Sequence, residues 1–398
     1  MKDEGGRILI TEVQVRNYKS LAQVVVQLAP LTVLVGINGS GKSNFADALR
    51  FVADSLNGTI ALALKQRGGI SAVRRISRGH PHNFGVRIKL ALPQGTLADF
   101  SFEVASTSGG SFVVSRERCY VQRFLGEAAF YEVQNGTFTS EVPGIRARIE
   151  SDRLALTIVS AVEEFRPVFD FLSRMRFYSI APDRLREIQD PDAGDVLRRD
   201  GSNAAAVLRE MKRRNKEDYE RVCHLLSQVV PGVRSVEYHP LGQKETIRFK
   251  QDVSGDSPWT FEALNMSDGT LRALGILLAV YQPATPALIV IEEPEATVHP
   301  AAMEILVQIL RDGQHRSQVL VTTHSPDVLD NKAIVDENIR AVEYRGGCTQ
   351  ISRLGALSRE SIRDRLYTPG ELMRAGELQL DQETAESLAR QLDLFGSI

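Results

Sequence analysis

With 398 residues, 43% of them hydrophobic and 25% charged, the chain has the make-up of a soluble globular protein rather than a disordered, collagenous or coiled-coil one. At roughly 150 residues per domain its length corresponds to two or three domains. Forty-eight basic residues against fifty acidic ones leave a net charge of −2, so any contact with nucleic acid has to come from a local patch.

The longest apolar run, Ala273 to Tyr281, falls far short of the ~20 residues that span a bilayer. Met1-Lys2-Asp3-Glu4-Gly5-Gly6 lacks the apolar core of a secretory leader. Cys119, Cys223 and Cys348 are scattered without a CxxC, which fits reduced thiols in a cytoplasmic protein.

In chain order, Ile8 to Ile10, Val13 to Val15 and Val24 to Leu28 read as strands. Leu31-Thr32-Val33-Leu34-Val35 reads as a buried strand stopped by glycine. Ser43 to Asp54 carries Phe45, Ala48, Leu49 and Val52 at helical spacing. From Gly85 to Thr139 short alternating runs (Val86 to Leu90, Phe100 to Val104, Phe112 to Val114, Cys119 to Val121, Phe130 to Val133) predict antiparallel hairpins with one wet face. Residues 150–230 read as mainly helical, and Val233 to Tyr238 with Thr246 to Lys250 as a strand pair.

The last third alternates helix and strand: Leu271 to Tyr281, Ala287 to Ile291, Ala301 to Leu310, Gln318 to Thr322. Such alternation predicts an α/β core with a mainly parallel sheet. The early strand–loop–helix unit and these late units are expected to share one sheet, with residues 85–260 inserted between them. Near the end, Ala385, Leu388, Ala389 and Leu392 fall on one face of a helix over Asp381 to Leu394.

Gly36-Ile37-Asn38-Gly39-Ser40-Gly41-Lys42-Ser43 fits G-x-x-x-x-G-K-[ST] at every fixed position. Its glycines let successive N–H groups turn inward, and the helix that follows adds its positive end. Lys42 is expected to reach the β- and γ-phosphates and Ser43 to hold Mg²⁺, so the chain is expected to bind a nucleoside triphosphate. Leu288 to Ile291 runs straight into Glu292-Glu293-Pro294-Glu295, which delivers carboxylates to the carboxyl edge of a parallel sheet. Glu292 is assigned to the Mg²⁺ shell through a water, and Glu293 to polarising the water that attacks the γ-phosphate. Glu295 is left between that site and plain exposure. In Met266-Ser267-Asp268-Gly269-Thr270-Leu271-Arg272, Ser267 reads as a helix N-cap and Gly269 as a place of close backbone approach. A second anion-ready helix start within one subunit makes sense if it presses on a γ-phosphate held by another.

These motifs together resemble the ABC-type ATPases of the SMC/RecF/OLD branch, in particular the stand-alone AAA_21-like members. Ser267 to Arg272 resembles their signature motif, and Glu292 to Glu295 with Val298-His299-Pro300 resembles their Walker B and D-loop. Thr322-Thr323-His324-Ser325-Pro326 resembles their switch-histidine loop, which makes His324 a γ-phosphate sensor. Val15 to Leu21 resembles their first strand and turn, which places Lys19, with Asn44 of the Walker A helix, near the nucleotide. The match is loose over residues 140–230, best at Asp200-Gly201-Ser202-Asn203. Glu292 replaces the usual Walker B aspartate, Asp268 stands where transporter domains have glycine, and no Q-loop is assigned.

The resemblance implies an ABC ATPase head: a P-loop core over 1–84 and 231–345, an antiparallel β subdomain over 85–145, a helical insertion over 146–230 and a helical tail over 346–398. It implies a cytoplasmic homodimer that sandwiches ATP and Mg²⁺, hydrolyses ATP, and gates action on DNA or on a separate nuclease or effector, in DNA repair or phage defence. The alternatives are a slow nucleotide switch that scaffolds a partner without DNA, and an ABC transporter subunit, which Glu-Glu-Pro-Glu and the hairpin insertion fit poorly. A GTPase is disfavoured because Asn331-Lys332-Ala333-Ile334 lacks the aspartate of N-K-x-D. The roughly seventy residues after His324 are too few for a Toprim nuclease, so the terminal helix is either a dock for such a subunit or packing on its own core. Two basic clusters are candidate DNA contacts or solvated faces: Lys65, Arg67, Arg74, Arg75 and Arg78, and Arg198, Arg199, Lys212, Arg213, Arg214 and Lys216.

Overall fold

The computed structural model describes residues 7–77, 82–123, 126, 128–142, 144–145, 147–252, 258–299 and 302–396. Met1 to Gly6, Arg78, Pro300 and Ala301, named above, lie outside them. Among the described residues the strands form three sheets.

The core sheet has six strands in the order β16-β15-β3-β14-β13-β9. They are β3 (Leu31–Val35), β9 (Arg176–Tyr178), β13 (Leu288–Glu292), β14 (Gln318–Thr323), β15 (Ile339–Arg345) and β16 (Cys348–Ser352). All neighbours are parallel except β15 and β16. The early strand β3 shares this sheet with the late strands, as the alternation of the last third leads one to expect, and it sits between β14 and β15.

The strands β3 and β14 are buried along their whole length, as a parallel sheet covered on both faces requires. Side chains alternate between the faces. Leu34, Val290 and Leu320 join one apolar core with Phe45, Leu49 and Val52 of the Lys42–Asn57 helix. Val33, Val35, Ile289, Ile291 and Val321 join the other, with Leu271, Leu274 and Leu278 of the Asp268–Tyr281 helix.

The second sheet is antiparallel with seven strands, β2-β1-β4-β5-β6-β7-β8. They are β1 (Leu9–Tyr18), β2 (Leu21–Gln27), β4 (Asn83–Ala91), β5 (Leu97–Ser106), β6 (Phe112–Gln122), β7 (Ala129–Gln134) and β8 (Thr137–Phe138). The hairpin stretch 85–145 therefore does not stand alone, because β1 pairs with β4 from Leu9↔Ala91 to Arg16↔Gly85 and satisfies what would otherwise be an open edge. A third sheet joins β10 (Val233–Leu241), β11 (Lys244–Gln251) and β12 (Trp259–Glu262).

Three expectations need correction. Residues 112–122 form one strand, not two. Its bulge against β5 at Glu103/Val104 absorbs the break in alternation. The mainly helical stretch contains β9, which pairs with β13 in the core sheet. The tail 346–398 is not purely helical, since β16 closes the core sheet. Its last helix is Gln382–Arg390, with no fully buried residue, and it packs on β2 and β16. Beyond it Leu394 is buried against Gly85, and Arg87 and Arg118 donate to the carbonyls of Asp393 and Phe395. The segment 393–396 is thus fastened to the antiparallel sheet. No described helix is long and apolar enough to cross a membrane.

Candidate nucleotide site

The parallel register builds the site. Val35 lies opposite Thr323 and Glu292 opposite Thr322. The segments that leave these strands, Gly36–Ser43, Glu293–Glu295 and His324, therefore emerge side by side at the carboxyl edge, where open α/β sheets bind ligands.

Gly36–Lys42 curls as its composition leads one to expect. Gly41 has φ +108 and caps the Lys42–Asn57 helix without a side-chain acceptor, which leaves amide donors at the helix start turned to the loop. A Cβ at Gly36 would strike the carbonyl of Val342, and one at Gly41 would strike Thr349 Oγ1. Asn38 and Gly39 are exposed at the tip and Ser43 on the helix. Ser40 is buried and its Oγ has no hydrogen-bond partner, an orphan that a phosphate oxygen would satisfy. Lys42 is 5% exposed and donates to the carbonyls of Gly36 (2.6 Å) and Ile37 (3.0 Å). Burial pulls its ammonium below the usual lysine range, while Glu293 and Glu295 oppose that shift.

Sequence reasoning did not single out the braces behind this loop. Thr349 on β16 donates to the Ser40 carbonyl (2.9 Å) and shares a hydrogen bond with Ser20 (2.7 Å). Ser20 Oγ in turn accepts from Asn44 Nδ2 (2.7 Å). Asn44 therefore faces the loop's support. Lys19 is held by Asp47 (2.6 Å), which also takes Tyr18, Arg50 and Arg67. Burial raises Asp47, but the cations of Arg67, Lys19 and Arg50 outweigh it and hold the carboxyl below its ordinary range.

At the acidic turn Glu293 has φ +45 and its N–H donates to the Thr322 carbonyl (2.9 Å). Its Oε1 lies 3.3 Å from His324 Nδ1, which brings the two expected catalytic groups together. Glu295 is not exposed, because the turn folds it under the sheet edge to 8% exposure. Glu292 pairs with Arg199 at 3.0 Å. Ser43 and Glu292 line one cavity of about 170 Å³ with Lys19, Asp47 and Arg199. A hydroxyl and a carboxylate are hard oxygen donors that suit Mg²⁺. Among the described residues no three His, Cys, Asp or Glu side chains come together as a metal cluster.

Ser267 caps the Asp268–Tyr281 helix, accepting from Thr270 N at 3.2 Å. Gly269 is needed because a Cβ there would lie 2.7 Å from the Thr297 carbonyl. Asp268 pairs with Arg186, and Arg272 donates to the Glu293 carbonyl (3.3 Å). Ser267 and Asp268 are exposed. Among the described residues no hydrogen bond or ion pair joins them to residues 36–44 of the same chain.

The second basic cluster is ion-paired: Arg198, Lys212, Arg213, Arg214 and Lys216 each have a carboxylate within 4.0 Å, and Arg199 pairs with Glu292. In the first cluster the Arg67 side chain is 2% exposed and tied to Asp47 and Asp54.

A family model, AAA_21, "AAA domain, putative AbiEii toxin, Type IV TA system", matches residues 116–330, over half of the sequence. The chain belongs to this family. A second model, AAA_15, an AAA ATPase domain, matches residues 9–83, so the two together take in both the phosphate loop and the acidic turn. Among solved structures, an SmcHead bound to the C-winged helix domain of ScpA has a TM-score of 0.55 at 16% identity, covering 89% of this chain and 99% of that one. A Pyrococcus furiosus Smc head with an extended coiled coil, bound to the C-terminal domain of ScpA, scores 0.53 at 14% identity, covering 90% and 99%. A Pyrococcus yayanosii Smc head with a coiled coil and joint scores 0.52 at 12%, again covering 90% and 99%. The fold of this AAA_21 chain is thus that of an SMC-type ATPase head. No curated protein sequence matches it.

Proposed function

We propose that this chain is an ATPase head that pairs head-to-tail with a second copy. Each of two ATP molecules would lie between Gly36–Ser43 of one protomer and Ser267–Gly269 of the other. In this reading Lys42 grips the β- and γ-phosphates, and Ser43 and Glu292 hold Mg²⁺, Glu292 through water. Bound Mg²⁺ supplies charge neutralisation across those phosphates. Glu293 polarises the attacking water, and His324 contacts the γ-phosphate.

One observation carries the reading. Lys42, Glu293 and His324 share one sheet edge through strand register, while a capped helix start suited to an anion stands exposed without reaching that edge in its own chain. A second protomer completes the pocket most simply.

The output we propose is the gating of a protein effector. The ion pairing of the second basic cluster favours a protein over DNA. Two SMC heads of similar fold are described as bound to ScpA, and the family's description names a toxin of a type IV toxin–antitoxin system, which favours defence over repair.

The test is Glu293→Gln. Nucleotide affinity is expected to stay within a few-fold, hydrolysis to fall on the order of 10²–10⁴-fold, and mass photometry with ATP to show a dimer accumulating. Normal turnover by the variant, or full turnover by a monomer, rejects the assignment.

A further inference from the structure

Glu295 has no role in the mechanism above, and its surroundings give it one. The chain turns sharply after β13, with φ +45 at Glu293 and φ +65 at Thr297. Ala296 N donates to the Glu293 carbonyl (3.1 Å) and Val298 N to that of Glu295 (3.0 Å). These turns drive the Glu295 side chain inward. Its Oε1 accepts from Thr323 Oγ1 (2.6 Å) and from the backbone N–H of His324 (3.3 Å), and it lies 3.9 Å from His324 Nδ1. Thr323 is fully buried, and its Oγ1 also accepts from Ser325 N (3.0 Å). The residues on both sides of His324 are thereby tied to one carboxylate.

The arrangement is a poor one for stability alone. Glu295 Oε2 is buried with no hydrogen-bond partner, and a buried carboxylate oxygen left unpaired costs free energy that an apolar side chain would avoid. The charge of Glu295 bears on both Lys42 and Arg272, so it sits within the electrostatic reach of the phosphate loop and of the helix that Ser267 caps.

We propose that Glu295 is a positioning residue for His324. It fixes the backbone at the end of β14 so that the imidazole stands beside Glu293, and both face the γ-phosphate position from one side. This rests on the ATPase reading of the same site.

The experiment uses the full chain and four proteins: wild type, Glu295→Ala, His324→Ala and the double variant. Glu295→Ala is expected to lower kcat at least ten-fold with the KM for ATP within three-fold of wild type. The double variant is expected to be no slower than His324→Ala alone, because residues that act as a unit are non-additive. Losses that multiply would overturn the proposal.

A second arm needs no nucleotide. The imidazole ¹⁵N resonances of His324, assigned by their absence in His324→Ala, are expected to move in Glu295→Ala and in Thr323→Val, which cuts the shorter of the two ties but keeps the carboxylate. Unmoved resonances in Thr323→Val overturn the proposal even if Glu295→Ala does not fold. A wild type without ATP turnover sinks the ATPase reading, whereas an unmoved His324 ring sinks the role of Glu295 alone.

Discussion

Arg199 stands 3.0 Å from Glu292 although the two are 93 residues apart. If Glu292 serves the hydration shell of Mg²⁺ as proposed, cation entry competes with this ion pair. Arg199 is 49% exposed as a side chain, and such pairs contribute about 0.2–1 kcal/mol. Arg199→Ala is therefore expected to lower the Mg²⁺ concentration for half-maximal MgATP binding by roughly 1.4- to five-fold. A fluorescent nucleotide titrated against Mg²⁺ measures this, and an unchanged midpoint means the pair does not guard the site.

The contrast with Lys42 shows what a motif makes legible. Lys42, Ser43 and Glu293 could be placed from the sequence because each sits at fixed spacing from a strand end, where a few neighbouring residues decide the geometry. The partner of Arg199 depends on how distant segments meet, so a basic cluster was all that spacing could reveal. Glu295 was ambiguous for a related reason: its burial depends on left-handed turns at Glu293 and Thr297, and neither residue type announces such a turn.

At the level of elements, β9 escaped notice because Arg176-Phe177-Tyr178 is three residues long and carries no period. Only pairing with β13 makes it a strand. The β6 strand carries a second feature invisible from its own segment. Glu117 is 1% exposed and accepts from Tyr131 OH (2.7 Å), Ala155 N (2.5 Å) and Leu156 N (2.8 Å), anchoring the start of the Leu156–Val159 turn of helix. Burial outweighs these three donors and pushes the carboxyl from 4.5 up to about 7.

The folded chain thus holds this proton more tightly than the unfolded one. The associated stability is fully present below pH 4.5 and is lost as pH rises through about 7. The span corresponds to about 3 kcal/mol. The melting temperature is expected to fall between pH 5 and pH 8. Glu117→Gln should melt lower throughout, since its amide opposes backbone donors, yet lose that pH dependence. A wild-type profile that is flat or rising over this window contradicts the assignment.

For the whole molecule the question is whether one copy suffices. Lys42→Ala should fail at the phosphate loop and Ser267→Arg at the exposed helix start, each leaving the other half-site intact. If the pocket is shared, mixing the two inactive variants in equal amounts forms heterodimers with one sound pocket, and hydrolysis should return to roughly a quarter of wild type. A self-contained monomer gives no recovery, and a coupled assay on the mixture decides. The strand order was not legible in the alternation of the last third, but the α/β core, with early and late units in one sheet, followed from it. The union of β1 and β2 with the hairpin strands did not, because edge pairing across an intervening helix leaves no local trace.

The strand that launches the phosphate loop, β3, is flanked on both sides by strands made some three hundred residues later. During synthesis on the ribosome it has no neighbour to pair with until β14 and then β15 emerge. Pairing over such separations is intrinsically slow and leaves edges open to aggregation. A prematurely terminated chain that ends before β14 therefore carries the complete glycine-rich motif yet has no sheet to hold it, and should reach quality-control proteases without ever gripping a nucleotide.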